Sequence, residues 1–302
     1  MKDRLQSSTS FEFIRFSLEE PSAPSPSPSP SPDHDQQNLS VERDAFWSYC
    51  GPLLSTLDDL PASFHDWTRA ALSGSLLPLL LPFLTFVNKF IRANGLDHYW
   101  LTIRATKATT EYNKPRWHTD DMFFSRSSSN SSGGNSGGGG VWGRRRSLVM
   151  GRENAELDLQ TDWKLCATLL GPATMFIPAE HQAAARATSR STKRALATEH
   201  VCTSIRCPGC GATAEAIREK LADEFAPLGL VQAAPGECSV FRIGQERGAV
   251  HSEPCMSKGD RIFVNVVPGK EDELSSLLAK WGMSYPRSWF IAPGFLRGHG
   301  LT

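Results

Sequence analysis

The run Trp117-His118-Thr119-Asp120 is where the chain concentrates its chemistry. Residues i and i+2 of a strand share a face, so the imidazole of His118 and the carboxylate of Asp120 can reach one point. A nitrogen and a hard oxygen ligand suit Fe(II), provided that a second nitrogen arrives from elsewhere. His251, in the run GAVHSEP, is the candidate. Ten residues later Arg261 opens the apolar strand Arg261–Val267. Burying an unpaired guanidinium is costly, and a bidentate carboxylate would be a good reason for it. Alone, His118 and Asp120 read more simply as a hydrogen-bonded surface pair. A second nitrogen donor at His251 is what would favour a metal. Arg104 and Arg116 are rival anion anchors, but Arg104 lies on the polar face of its strand and is expected in an exposed ion pair. Asp121 points to the opposite face and caps or is solvated.

A second cluster is His200, Cys202, Cys207 and Cys210, the last two in CPGCG. Two thiolates in a Cys-x-x-Cys knuckle can grip one zinc ion, and His200 with Cys202 would complete a Cys3His structural site. No second Cys-x-x-Cys is present, so free thiols on a loop are the competing reading. A redox role would want a βαβ context, which is missing. Cys50, Cys166, Cys238 and Cys255 stand alone in apolar surroundings and read as buried free thiols. The start of the chain has no apolar run of a secretory signal, so disulfides are not expected.

The elements that must position these residues follow from pattern. Residues 1–40 include PSAPSPSPSPSP and read as a disordered Pro/Ser-rich tail. Residues 41–302 read as one domain with a flexible insertion at 125–146. Thirteen of the sixteen residues in Ser125–Gly140 are Ser or Gly, which cannot build a core. Helices are expected from Ser40 through Phe46, Trp47 and Tyr49 to Cys50, over His65–Leu72, and over Leu79–Ala93, which stops at Asn94-Gly95. Tyr99–Thr106 alternates apolar and polar residues as a strand does. Lys164–Leu170, Thr174–Ile177, Ser239–Ile243, Ala249–His251 and Arg261–Val267 are further short strands, separated by Gly-containing turns. Thr213–Phe225 and Glu271–Trp281 have helical spacing. Without regular βαβ alternation, the pattern predicts a mainly β sandwich or barrel with N-terminal and peripheral helices.

Lys and Arg number 32, as do Asp and Glu, so the net charge is zero. That argues against a nucleic-acid binder driven by counterion release. The most apolar stretch, Leu76–Val87, is broken by Pro78 and Pro82 and falls short of the ~20 residues needed to span a bilayer. The expected location is cytoplasmic, with the nucleus left open by the flank Arg144-Arg145-Arg146, and no membrane partner is expected.

The order of His118, Asp120, His251 and Arg261 resembles that of the Fe(II)/2-oxoglutarate-dependent dioxygenase superfamily, across about Tyr99 to Pro268. The resemblance implies a double-stranded β-helix, or jelly roll, with His118, Asp120 and His251 as iron ligands. It implies that Arg261 binds the distal carboxylate of 2-oxoglutarate; Thr174 and Thr168 are candidate donors to that cosubstrate. Ordinary strand threonines are the simpler reading of Thr174 and Thr168. The implied reaction is hydroxylation or demethylation of an unknown substrate. Three features depart from the pattern: Phe263 stands where many members place Ser or Thr, the insertion directly follows the His-x-Asp motif, and His251 follows His118 by 133 residues, more than in compact members. LCATLLGPATMFIP and GECSVFRIGQERGAVHSEP also resemble an uncharacterised bacterial domain family with TxxGPGT and VHRSPP segments, here with Ala173 and Ser252 as departures. A non-catalytic jelly-roll binding module, with or without structural zinc, is the alternative.

Overall fold

The computed structural model describes residues 10–16, 39–54, 56–111, 113–124, 161–197, 207–257 and 259–291. Among them, antiparallel sheets combine with five α-helices. The strands are β1 (Phe11–Arg15), β2 (Ser40–Val41), β3 (Ala45–Pro52), β4 (Leu72–Ser73), β5 (His98–Thr106) and β6 (Trp163–Leu170), followed by β7 (Met175–Phe176), β8 (Val231–Gln232), β9 (Glu237–Arg242), β10 (His251–Ser252), β11 (Arg261–Gly269) and β12 (Arg287–Ile291). The helices are α1 (Ala62–Ala71), α2 (Leu77–Ala93), α3 (Gln182–Ala195), α4 (Pro208–Phe225) and α5 (Glu271–Ala279). A large sheet runs β1-β9-β6-β11-β5-β3-β12, a small one runs β10-β7-β8, and β2 pairs with β4. No helix among the described residues is long and apolar enough to cross a membrane.

The two faces of the large sheet do different work. On β11, Ile262, Val264 and Val266 join the main core with Leu101, Ile103 and Ala105 of β5 and Leu165 and Ala167 of β6. Helix α2 covers that face with Leu80, Phe83, Leu84, Val87 and Ile91, a stripe at helical spacing. Its end at Asn94-Gly95 uses the positive φ of Gly95, +77°. The opposite parity carries Arg261, Phe263 and Asn265, as the alternation of the sequence predicts. Phe263 packs there with Cys166, Phe176, Phe241 and Ala249, in the cluster that joins the small sheet to the large one.

Two expectations are corrected. The Ser40–Cys50 segment is no helix: β3 pairs with β5 on one side and β12 on the other. Aromatic residues such as Phe46, Trp47 and Tyr49 fit a pleated surface, and two strand partners override any helical start at Ser40. The chain ahead of Val41 is also not wholly disordered, because β1 pairs with β9 along its full length and Phe11 stacks on Phe176 at 4.8 Å. The Pro/Ser repeat and the 125–146 insertion lie outside the described residues.

One turn fixes the start of β11. Gly171 has φ +85°, and a Cβ there would meet the backbone oxygen of Asp260 at 2.1 Å. Backbone cannot swing aside as a side-chain tip can, so Gly171→Ala is expected to destabilise the protein by about 2 kcal/mol or more. A shift of the urea midpoint without a change of slope would report it.

Candidate metal centre

The His-x-Asp segment joins the edge of the small sheet through a single bridge. The His118 amide donates to the His251 carbonyl at 2.9 Å, and the His251 amide donates back to the His118 carbonyl at 2.9 Å. Two residues that exchange backbone bonds in this way stand directly opposite each other. Their imidazoles consequently lie side by side, with ring centroids 4.4 Å apart. The Gly244 amide donates to the Asp120 carbonyl at 2.8 Å, which pins the other end of the motif to the loop after β9.

One ligand atom from each of His118, Asp120 and His251 lies within 4.8 Å of the others. His118 Nε2 is 3.8 Å from Asp120 Oδ1, and His251 Nε2 is 3.6 Å from Asp120 Oδ2. His118 Nδ1 sits 2.8 Å from the Arg116 carbonyl, and His251 Nδ1 sits 3.0 Å from the Ala249 carbonyl. A carbonyl can only accept, so each Nδ1 carries the proton and each Nε2 turns a lone pair towards Asp120. This tautomer and this backbone anchoring suit a metal-ligating histidine. The donor set of two neutral imidazoles and one carboxylate fits a divalent transition metal. His251 is walled in by Phe176 and Phe241, at 5.7 and 4.8 Å between ring centroids. The His118 side chain is 36% exposed, against 6% for His251, so the centre opens to solvent on the His118 side.

Sequence reasoning missed Lys164. Its ammonium lies 2.5 Å from Asp120 Oδ2 and 5.1 Å from the centroid of Phe241. Burial alone would raise the Asp120 carboxyl, but Lys164, His251 and His118 outweigh it and hold the group well below the usual carboxylate range. Burial, with His118 adding to it, brings His251 down to about 4. Between roughly pH 6.5 and 4 the unfolded chain therefore takes up a proton at this residue and the native chain does not. Stability is fully present above that window and is lost as pH falls through it, by about 3 kcal/mol at most. Urea unfolding at pH 7 and pH 5 should show the loss, and His251→Gln should flatten the slope.

Arg261 points between the sheets as expected, but no carboxylate among the described residues hydrogen-bonds to it. Its Nε donates to the Pro172 carbonyl at 2.9 Å and its Nη2 to Thr174 Oγ1 at 3.0 Å. Its guanidinium lies 4.3 Å from the centroid of Phe263, the residue that departs from the Ser/Thr pattern. Burial lowers Arg261 to about 10, so it remains a cation at neutral pH. The neighbouring Asp260 accepts from the amides of Val41 and Ala108, which ties down the entry to β11. Nearby, a cavity of about 320 Å³ is lined by Cys166, Thr168, Thr174, Gln232, Glu237 and Ser239, among others. Asn265 Oδ1, on the same face of β11, is buried without a hydrogen-bond partner among the described residues.

The rival residues have other partners. Arg116 faces Glu253 at 4.0 Å, Arg104 is exposed, and Asp121 accepts from Gln245 Nε2 at 2.5 Å. In the second cluster, Cys207 and Cys210 sit at the N-terminal end of α4, half-buried and exposed respectively, and neither forms a disulfide among the described residues. His200 and Cys202 lie outside the described residues. Cys50, Cys166 and Cys238 are buried as expected, whereas Cys255 is only half-buried, with its Sγ 3.0 Å from the Asn113 carbonyl. Sequence reasoning also passed over Gln182. This buried side chain donates to the Ile177 and Val250 carbonyls and accepts from the Val250 amide, clamping the residue before His251 to the start of α3. In comparisons with known proteins, no family model and no curated sequence matches the chain.

Proposed function

We propose that the chain is a non-haem Fe(II)- and 2-oxoglutarate-dependent oxygenase on a double-stranded β-helix, hydroxylating or demethylating a substrate. The observation that carries this reading is the convergence of His118, Asp120 and His251, with both Nε2 atoms turned towards the Asp120 carboxylate. The strand order supports the fold. From β5 to β11 the chain visits the large sheet, the His118 bridge of the small sheet, the large sheet at β6, the small sheet at β7 and β8, the large at β9, the small at β10 and the large at β11. Winding a double strand into a helix produces this alternation.

In this reading His118 and His251 present their Nε2 lone pairs and Asp120 one carboxylate oxygen, leaving other positions open to exogenous ligands. Iron(II) bound there would supply the activation of dioxygen. One oxygen atom would end in succinate as carbon dioxide leaves, and the other in the substrate. Arg261 would hold the distal carboxylate of 2-oxoglutarate, with Thr174 keeping the guanidinium in place. The solvent-open His118 side is where a substrate would approach, and the aromatic wall of Phe176 and Phe241 would keep bulk water from His251. The test is an anaerobic titration with Fe(II) and 2-oxoglutarate, which should give a visible charge-transfer band, followed by succinate release on admission of air. Absence of both would refute the oxygenase reading, and metal binding without the band would leave a metal-containing binding module.

A further inference from the structure

We infer that Lys164 is a positioning residue of the metal centre, holding one oxygen of Asp120 so that only the other is offered to a metal. This rests on the metal reading of His118, Asp120 and His251. The carboxylate has two oxygens, and each faces one imidazole: Oδ1 faces His118 at 3.8 Å and Oδ2 faces His251 at 3.6 Å. Nothing in that geometry selects between ligation through one oxygen and chelation through both. The ammonium does, because it stands 2.5 Å from Oδ2. Oδ2 is buried, and of its two polar neighbours the ammonium is much the nearer. A divalent cation sharing that oxygen would be pressed against a like charge in a site of low dielectric. Oδ1 is the oxygen left for the metal.

Lys164 is itself fixed. Its side chain is only 10% exposed, β6 pairs it with Phe241 of β9, and its ammonium lies over the Phe241 ring. The ring that walls His251 thus also seats the cation that orients Asp120. A carboxylate ligating through one oxygen takes one position on a metal, whereas a chelating one takes two. Lys164 in this role preserves a position for an exogenous ligand, and its charge also weakens the site's hold on the metal.

The test uses Co(II) as a spectroscopic probe with the full chain, in wild type and in Lys164→Met, Lys164→Gln and Lys164→Arg. Lys164→Met and Lys164→Gln should each bind Co(II) more tightly, by about tenfold or more, and should alter the intensity of its visible bands as Asp120 begins to chelate. Lys164→Arg should restore the wild-type affinity and spectrum. A merely structural lysine predicts weaker or unchanged binding and an unaltered spectrum, and that outcome overturns the proposal. If Lys164→Met fails to fold, the Gln and Arg variants carry the same contrast. Wild type that binds no Co(II) removes the metal centre itself and this role with it, a failure distinct from a wild type that binds like its variants.

Discussion

Replacing His118 by alanine should abolish Fe(II) binding while leaving the protein folded. The bridge that holds the motif in place runs through the backbone of His118 and His251, not through the imidazole. The side chain is 36% exposed, so truncating it opens little buried space. What is lost is one of two neutral nitrogen donors. Losing the hydrogen-bond partner of a ligating histidine typically costs 10–100-fold in metal affinity, so losing the ligand itself should cost more than about 100-fold. Equilibrium dialysis with Fe(II) under anaerobic conditions, alongside a thermal melt, reads both halves of the expectation. Metal binding that survives in His118→Ala would dismiss this centre. His251→Ala is a poorer probe, because it empties space between Phe176 and Phe241 and would confuse a lost ligand with a lost core.

The parts of this site that could be read from sequence are those fixed by short-range geometry. His118 and Asp120 stand two apart, and the spacing brings them together even though only His118 bridges a sheet and no regular strand covers the pair. The alternation Ile262, Val264, Val266 against Arg261, Phe263, Asn265 likewise assigns Arg261 to the space between the sheets. Lys164 was not legible, because WKLCATLL reads as an ordinary strand with a lysine near its end. Its meaning comes only from Asp120, which arrives through the small sheet. The same holds for β1, a five-residue strand in a Ser- and Pro-rich region whose partner β9 lies more than 200 residues away. For β3, an aromatic run fits both helical and strand spacing over so few residues, and only its two neighbours in the sheet decide.

Exchanging Arg261 for methionine should separate the cosubstrate from the metal. The guanidinium is buried and carries a full charge, yet among the described residues its donors meet the neutral oxygens of Pro172 and Thr174. Two hydrogen bonds to neutral acceptors are modest compensation for desolvating a cation, so the cation is poised for an anionic ligand. A carboxylate held by such a fork gains charge-assisted bonds worth about 1.5–3 kcal/mol each. Losing about 3 kcal/mol in total corresponds to more than 100-fold in affinity. Arg261→Met should therefore weaken 2-oxoglutarate by on the order of 100-fold, measured by the charge-transfer band, while Fe(II) affinity changes by no more than about threefold. Arg261→Lys keeps the charge without the planar fork and should fall between the two. Methionine roughly fills the volume against Phe263, so a loss of binding in a variant that melts near the wild-type temperature points to the missing fork. Undiminished 2-oxoglutarate binding in Arg261→Met would move the cosubstrate to another anchor and leave the buried cation with a purely structural role.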